Sequence, residues 1–272
     1  MAALAGGITN RNFRVRDDNG SFVARIAEEL LILGVDRRNE HLCHLAAHAL
    51  KVAPEIVFAE NGVMVTRYIE GRTLDPAGMR EPGVATRLAQ SLRRLHEGWD
   101  CLSGEMLYFS PFQANRTYVE TSRRIGAALP DDIDIMLEQT RKLSRTLTPF
   151  LPTLCHNDML PANILDDGDR IWIVDWEYAG IGHPLFDLAG ISVNCAFSVE
   201  QEVEFLTAYR GDFRTRDLYE LHVLQVASLL REALWSVVQT VASDLDFDYR
   251  AYADRNFGYF REALRRLEPM GR

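Results

Sequence analysis

The chain has 272 residues and a formal net charge of −9, from 30 Lys+Arg against 39 Asp+Glu, and it is 47% hydrophobic and 25% charged. At roughly 100–200 residues per domain, this length suits one large domain or two lobes around a substantial core, and the ordinary apolar content excludes a disordered chain. The acidic balance argues against a nucleic-acid protein, which needs a basic face for phosphates.

No apolar run in the sequence reaches the roughly 18 residues that a membrane span requires, so no membrane partner is expected. Residues 1–10 lack the basic start and apolar stretch of a secretory signal. The four cysteines, Cys43, Cys101, Cys155 and Cys195, are scattered without a C-x-x-C spacing. They read as reduced thiols of a cytoplasmic protein rather than as disulfides or zinc ligands.

In chain order, Ala3-Leu4 leads as a short strand into Gly6-Gly7. Residues 12–16 and 21–26 then flank Asp18-Asn19-Gly20, a hairpin turn. The spacing predicts a helix over 36–50, with Asp36 as N-cap and Leu42, Leu45, Ala46 and Ala49 on its apolar side. Pro54 ends it, and strands over 56–59 and 63–69 pair across Asn61-Gly62. Helices follow over 82–96, 113–128 and 131–148, the first carrying Leu88, Leu92 and Leu95 on one face and stopped by Gly98. A second β patch is expected at 153–155, 163–165 and 170–174, with helices again from Leu185 onward. The expected architecture is α+β, with a small β-rich lobe over 1–70, a larger helical lobe over 71–272 and a ligand cleft between them.

The segment richest in chemistry is His156-Asn157-Asp158-Met159-Leu160-Pro161-Ala162-Asn163, followed twelve residues later by Asp175. Asp158 and Asn163 lie on a loop before one strand and Asp175 lies just after the next, so a short hairpin brings all three to one mouth. Their chemistry fits phosphoryl transfer. A carboxylate beside an incoming hydroxyl can orient it and accept its proton, while an amide oxygen and a second carboxylate are hard ligands for Mg²⁺ on nucleotide phosphates. The plainer alternative is that the two aspartates cap turns and Asn163 holds a loop.

The sequence resembles the choline/ethanolamine kinase family, within the broader aminoglycoside-phosphotransferase and protein-kinase-like fold. The likeness runs from Gly6 to about Phe260, through Gly6-Gly7-Ile8-Thr9-Asn10, Cys155-His156-Asn157-Asp158, Asn163-Ile164-Leu165, Val174-Asp175-Trp176-Glu177-Tyr178, Phe186-Asp187-Leu188 and Leu234-Trp235-Ser236-Val237-Val238-Gln239. It implies a bilobal kinase-like fold that uses ATP and Mg²⁺, with Asp158 as catalytic base and Asn163 and Asp175 as metal ligands. Toward the nucleotide, Gly6, Gly7, Thr9 and Asn10 would approach the phosphates. Arg25 would stand where protein kinases have lysine, held by Glu40, with the simple surface ion pair as alternative. The backbone at Tyr68 and Ile69 would meet adenine.

The same resemblance implies an amino-alcohol acceptor, choline or ethanolamine. Tyr178, Trp235 and Tyr252 match positions that line an aromatic cage for a quaternary ammonium. The family's acidic residue after the Phe-Asp-Leu phrase falls at Asn194 here, and Glu232 replaces a cage tryptophan, so the missing negative charge is expected to have moved to Glu232. Thiamine or an aminoglycoside is the alternative acceptor, and an idle kinase-like binding protein the alternative class. Ordinary core packing is the competing reading for Trp235, Tyr252, Phe257 and Phe260. His41, His44 and His48 recur at helical spacing without a further metal donor and are expected to be exposed, and Arg123-Arg124 and Arg265-Arg266 to be solvated. His156 and Asp187 are expected to brace the loop.

Overall fold

The computed structural model describes residues 2–4, 11–27, 31–60 and 62–267. The N-terminal part is an antiparallel sheet of β1 (Ala2–Ala3), β2 (Arg11–Asp17), β3 (Gly20–Ile26), β4 (Ile56–Glu60) and β5 (Val63–Arg67), in the order β1-β2-β3-β5-β4. The expected hairpin closes on Asp17 facing Gly20, whose φ of 132° needs a residue without a Cβ. Helix α1 (Arg37–Ala49) sits between β3 and β4, and Asp36 caps it by accepting the Asn39 N–H at 2.8 Å, as the sequence predicts.

Beyond β5 come β6 (Arg72–Thr73), α2 (Pro76–Met79), α3 (Val84–Glu97), α4 (Pro111–Ile125) and α5 (Ile133–Ser144). Then follow β7 (Thr153–Cys155), β8 (Ile164–Asp166), β9 (Ile171–Ile173) and β10 (Gly180–Gly182). The chain ends in α6 (Pro184–Asn194), α7 (Val199–Arg210), α8 (Thr215–Ala242) and α9 (Tyr249–Leu267). Two small sheets, β6-β8-β9 and β10-β7, present the loops of the site. Helix α4 stops three residues short of the expected end because Gly126 adopts φ 75° and caps it.

One core groups α1 and α3 with β7–β9, α6 and α7, through Leu88, Leu92, Leu154, Trp176 and Phe205; a second groups α4, α5, α8 and α9, through Tyr118, Leu230, Phe257 and Phe260. Helix α8 is, among the described residues, the helix long and apolar enough by composition to cross a membrane, and 78% of that stretch is buried inside the protein.

The buried face of α1 differs from the expectation. Ala46 is buried as expected and Leu42 half-buried, but Leu45 is 42% exposed and Ala49 is exposed, while Asn39, Glu40, Cys43 and His44 face inward. Polar contacts to the large lobe override the apolar pattern: Asn39 donates to Ala179 O at 2.7 Å and accepts from the Leu107 N–H at 2.8 Å. His44 is likewise buried rather than exposed, its Nε2 lying 2.8 Å from Pro54 O, and His41 and His48 are half-buried. The charged pairs at 123–124 and 265–266 are solvated as expected, with Arg123 meeting Asp134 on the surface.

Candidate active site

Strand β7 delivers the chain to His156, and a buried aspartate takes hold of it there. Asp187, in the first turn of α6 and wholly inaccessible, accepts the N–H of His156 at 2.8 Å and of Asn157 at 2.7 Å. Its Oδ2 also lies 3.1 Å from His96 Nε2, and His96 Nδ1 lies 2.8 Å from the Tyr209 hydroxyl. A carboxylate can only accept here, so the His96 proton is assigned to Nε2 and Nδ1 accepts from Tyr209. His156 fixes the other side of the loop: its Nε2 lies 2.9 Å from Val174 O and its Nδ1 accepts the Asp158 N–H at 3.3 Å. Its ring meets Trp176 edge-on at 4.9 Å. Both histidine and aspartate therefore brace the loop, as the sequence suggests.

His96, Cys155 and Asp187 bring ligand-type atoms within 4.8 Å of one another. Their donors and acceptors are engaged, with Cys155 Sγ directed to Thr153 O, and burial followed by the Asp187 charge pushes the Cys155 thiol well up. This cluster is a hydrogen-bonded floor.

Asp158, Asn163 and Asp175 come together above that floor. Asn163 donates its amide N–H to Asp158 O at 3.0 Å, and Asn163 O accepts the Val174 N–H at 2.9 Å. Ile164 and Ile173 are paired in register, so Asn163 and Val174 begin and end the same two-strand ladder. With its N–H₂ turned to Asp158, the Asn163 amide presents Oδ1 as its remaining acceptor. Asp175 follows with φ 65°, a left-handed conformation that aspartate tolerates better than most residues.

Burial first, and the neighbouring Glu177 second, push the Asp175 carboxyl up to about 8, with Arg25 opposing. Together with the Asn163 amide oxygen this carboxylate forms a hard-oxygen pair that suits Mg²⁺.

The small lobe reaches this point through Arg25 on β3. Its Nη1 lies 3.2 Å from Asp175 Oδ1, and its Nη2 ion-pairs with Glu40 of α1. Glu40 is 1% exposed, so the pair is a buried one and not a surface contact. Arg37, which the sequence reading passed over, adds a second link: its Nη1 lies 2.9 Å from Glu40 Oε2 and 3.1 Å from Glu177 Oε2. The three-residue spacing of Arg37 and Glu40 on a helix was the available signal.

Gly6, Gly7, Thr9 and Asn10 lie outside the described residues. At the end of β5, the Tyr68 N–H is spent on Ser21 O at 3.0 Å, and the Arg14 guanidinium covers the Tyr68 ring at 3.6 Å. Tyr68 therefore has only its carbonyl to offer a base, because its N–H extends the β3–β5 ladder by one residue. The backbone of Ile69 and Glu70 follows directly.

On the other side of Asp158, the four expected acceptor residues converge. Trp235 Nε1 donates to the Tyr178 hydroxyl at 3.0 Å, and the Tyr252 hydroxyl donates to Glu232 Oε2 at 3.3 Å. Phe257 and Phe260, by contrast, are core residues. Asn194 donates to Met159 O at 3.0 Å and so braces the loop from α6.

The sequence reading missed Arg231, a lone cation in the apolar middle of α8. Its Nη1 lies 3.0 Å from both Asp158 Oδ1 and Glu232 Oε1. Glu232 is therefore a carboxylate partnered by a cation of its own helix. Burial pushes its carboxyl up while Arg231 opposes.

Comparisons with known proteins identify the family. The profile of the phosphotransferase enzyme family matches residues 1–221. Protein LicA of Haemophilus influenzae is 25% identical, covering 91% of this chain and 75% of the relative, and ethanolamine kinase 1 of Homo sapiens is 26% identical, covering 96% and 67%. Among solved structures, a choline/ethanolamine kinase family protein from Mesorhizobium loti superposes with a TM-score of 0.81 at 31% identity over 95% of this chain and 86% of that one. The fold is shared with choline kinase LicA from Streptococcus pneumoniae, with a TM-score of 0.81 at 20% identity over 97% and 93% of the two chains. A family profile over most of the chain, and a structural relative above 30% identity on the same bilobal kinase-like frame, place this protein in the phosphotransferase enzyme family and, within it, among the choline/ethanolamine kinases, which transfer a phosphoryl group to an alcohol.

Proposed function

We propose that this protein is an ATP-dependent kinase that phosphorylates the hydroxyl of choline or ethanolamine. The observation that carries the reading is the apposition of Asp158 and Asn163, whose amide donates to the Asp158 backbone oxygen at 3.0 Å, with Asp175 across the same ladder and in contact with Arg25. Asp158 orients the acceptor hydroxyl and takes its proton as phosphoryl transfer proceeds. Asn163 and Asp175 hold Mg²⁺, which when bound neutralises charge on the nucleotide phosphates. Arg25, kept in place by Glu40, turns its fork to phosphate oxygens. The backbone at Tyr68 and Ile69 meets the base, Tyr68 through its carbonyl, and the loop carrying Gly6, Gly7, Thr9 and Asn10 covers the phosphates. Tyr178, Glu232, Trp235 and Tyr252 form the acceptor wall.

On this reading residue 70 divides a nucleotide lobe, 1–70, from a catalytic and acceptor lobe, 71–272. The four free cysteines, three of them buried, favour a reducing, cytoplasmic setting.

A second reading keeps the chemistry and changes the acceptor to another hydroxylated amine, such as thiamine or an aminoglycoside. It is favoured by Asn194 serving the loop and by the cation already present beside Glu232. A panel of hydroxylated amines with labelled ATP and Mg²⁺ decides between them by product identity. Asp158→Ala should abolish turnover while ATP still binds; phosphorylation retained in that variant removes Asp158 from the role of base.

A further inference from the structure

The four acceptor-side residues do not enclose an empty box. Arg231 is 2% exposed, and its guanidinium carbon lies 4.6 Å from the centre of the Tyr178 ring and 5.7 Å from that of Phe109. The same group bonds the carboxylates of Asp158 and Glu232 at 3.0 Å each. The face of Tyr178, expected to receive a quaternary ammonium, thus already carries a cation that belongs to the chain.

We propose that Arg231 is a specificity-determining residue: by occupying the aromatic cation position with its own guanidinium, it disfavours quaternary ammonium acceptors and leaves a site that selects an ammonium bearing N–H bonds. The inference rests on the reading of the protein as an amino-alcohol kinase and adds the basis on which it chooses among such alcohols.

The chemistry follows from what each cation can do. A quaternary ammonium donates no hydrogen bond and is held by ring faces and diffuse attraction to carboxylates, so it needs the faces free. Burial alone would pull the Arg231 guanidinium down, yet the Asp158 charge and its neighbours outweigh burial and hold it raised, so it stays a cation and does not vacate the position by losing a proton. One guanidinium against two carboxylates still leaves a net negative charge at this corner. A primary ammonium matches that residue of charge, because its three N–H donors can meet carboxylate oxygens along their lone pairs. Each added methyl removes one donor and widens the head toward Arg231 and its rings.

The test is a methylation series on the full chain: kcat/KM with ATP and Mg²⁺ for ethanolamine, N-methylethanolamine, N,N-dimethylethanolamine and choline. The wild type should decline along the series, with choline about 100-fold below ethanolamine. Arg231→Leu and Arg231→Gln should each narrow that ratio by about tenfold, with KM for ATP held within about twofold. A residue of purely structural importance would lower all four amines together and leave the ratio alone. A wild type that favours choline overturns the proposal even if neither variant folds, and so does an unchanged ratio in a folded variant. Failure of all four amines to be phosphorylated overturns the kinase reading itself, a result distinct from turnover with the opposite preference.

Discussion

Asp187 accepts the Asn157 N–H at 2.7 Å, and in doing so holds a residue whose φ is 64°. A left-handed conformation outside glycine stores roughly 1–3 kcal/mol unless surrounding bonds determine it, and asparagine sits at the low end. The aspartate also receives the His156 N–H and faces His96. Asp187→Asn keeps the shape but offers one oxygen where two are used, so one buried donor loses its partner. We expect a loss of about 2–4 kcal/mol in denaturant unfolding and about 100-fold in turnover. Normal melting with normal rates would show that the loop keeps its conformation without this carboxylate.

The Glu40 carboxylate sits between Arg25 and Arg37, while Arg25 also reaches Asp175. Replacing it by Gln removes the charge that anchors Arg25 from the α1 side and halves the carboxylate partners of two buried guanidinium groups, leaving Asp175 for Arg25 and Glu177 for Arg37. Glu40→Gln should therefore lower kcat/KM for ATP by about 10–100-fold, with the acceptor KM within about twofold. Initial-rate kinetics varied in each substrate check this, and an equal fall for both substrates would place the damage in the fold and not at the nucleotide.

Two buried histidines make the protein acid-sensitive. Burial pulls His44 and His183 down to about 4 from an ordinary value near 6.5. Above pH 6.5 both are neutral whether folded or unfolded, and they add no pH dependence. As pH falls from 6.5 toward 4 the unfolded chain binds protons that the folded chain refuses, so each histidine withdraws about 1.4 kcal/mol of stability per pH unit across that window. His44→Gln retains a donor for Pro54 O without a titrating ring. Its unfolding free energy should fall less steeply between pH 6.5 and 4 than that of the wild type, and parallel slopes would mean that His44 titrates normally in the folded state.

The parts of this molecule that were legible in the sequence are those governed by local chemistry. Asp36 announces α1, Asp18-Asn19-Gly20 announces the first hairpin, and the spacing of Asp158, Asn163 and Asp175 announces a shared mouth between two strands. What stayed hidden depends on distant partners. Strand β10 is Gly-Ile-Gly, one strand-forming residue between two that disfavour strands, and exists because β7 pairs with it. The inward face of α1 holds Asn39 and His44 beside Cys43, Ala46 and Ala47 because Ala179, Leu107 and Pro54 supply hydrogen bonds to the two polar residues. Arg231 was the detectable omission: a charge inside a buried apolar helix needs partners, and seeking them would have pointed to Asp158 and Glu232.

Gly180 joins this long-range architecture to the acceptor site and can be tested by one methyl group. A Cβ there would stand 2.6 Å from the backbone oxygen of Leu107, closer than any real contact. The obstacle cannot swing aside, because Leu107 O accepts the Ile181 N–H at 2.8 Å and Ile181 O accepts the Phe109 N–H at 2.9 Å. Gly180→Ala must therefore displace the 107–109 segment, and Phe109 is one of the two rings against Arg231. Overpacking of this kind removes about 1–3 kcal/mol of stability. The acceptor KM should rise by about tenfold, a shift of about 1.4 kcal/mol, and KM for ATP by less, since the segment reaches the nucleotide side only through the Leu107 N–H on Asn39, next to Glu40. Gly258→Ala on α9 is the matched control: nothing lies within 4 Å of its Cβ, and removing a helical glycine should gain about 0.5–1 kcal/mol and leave both KM values alone. If Gly180→Ala instead raised both KM values alike, the 107–109 segment would be a general support of the cleft and not a wall of the acceptor site.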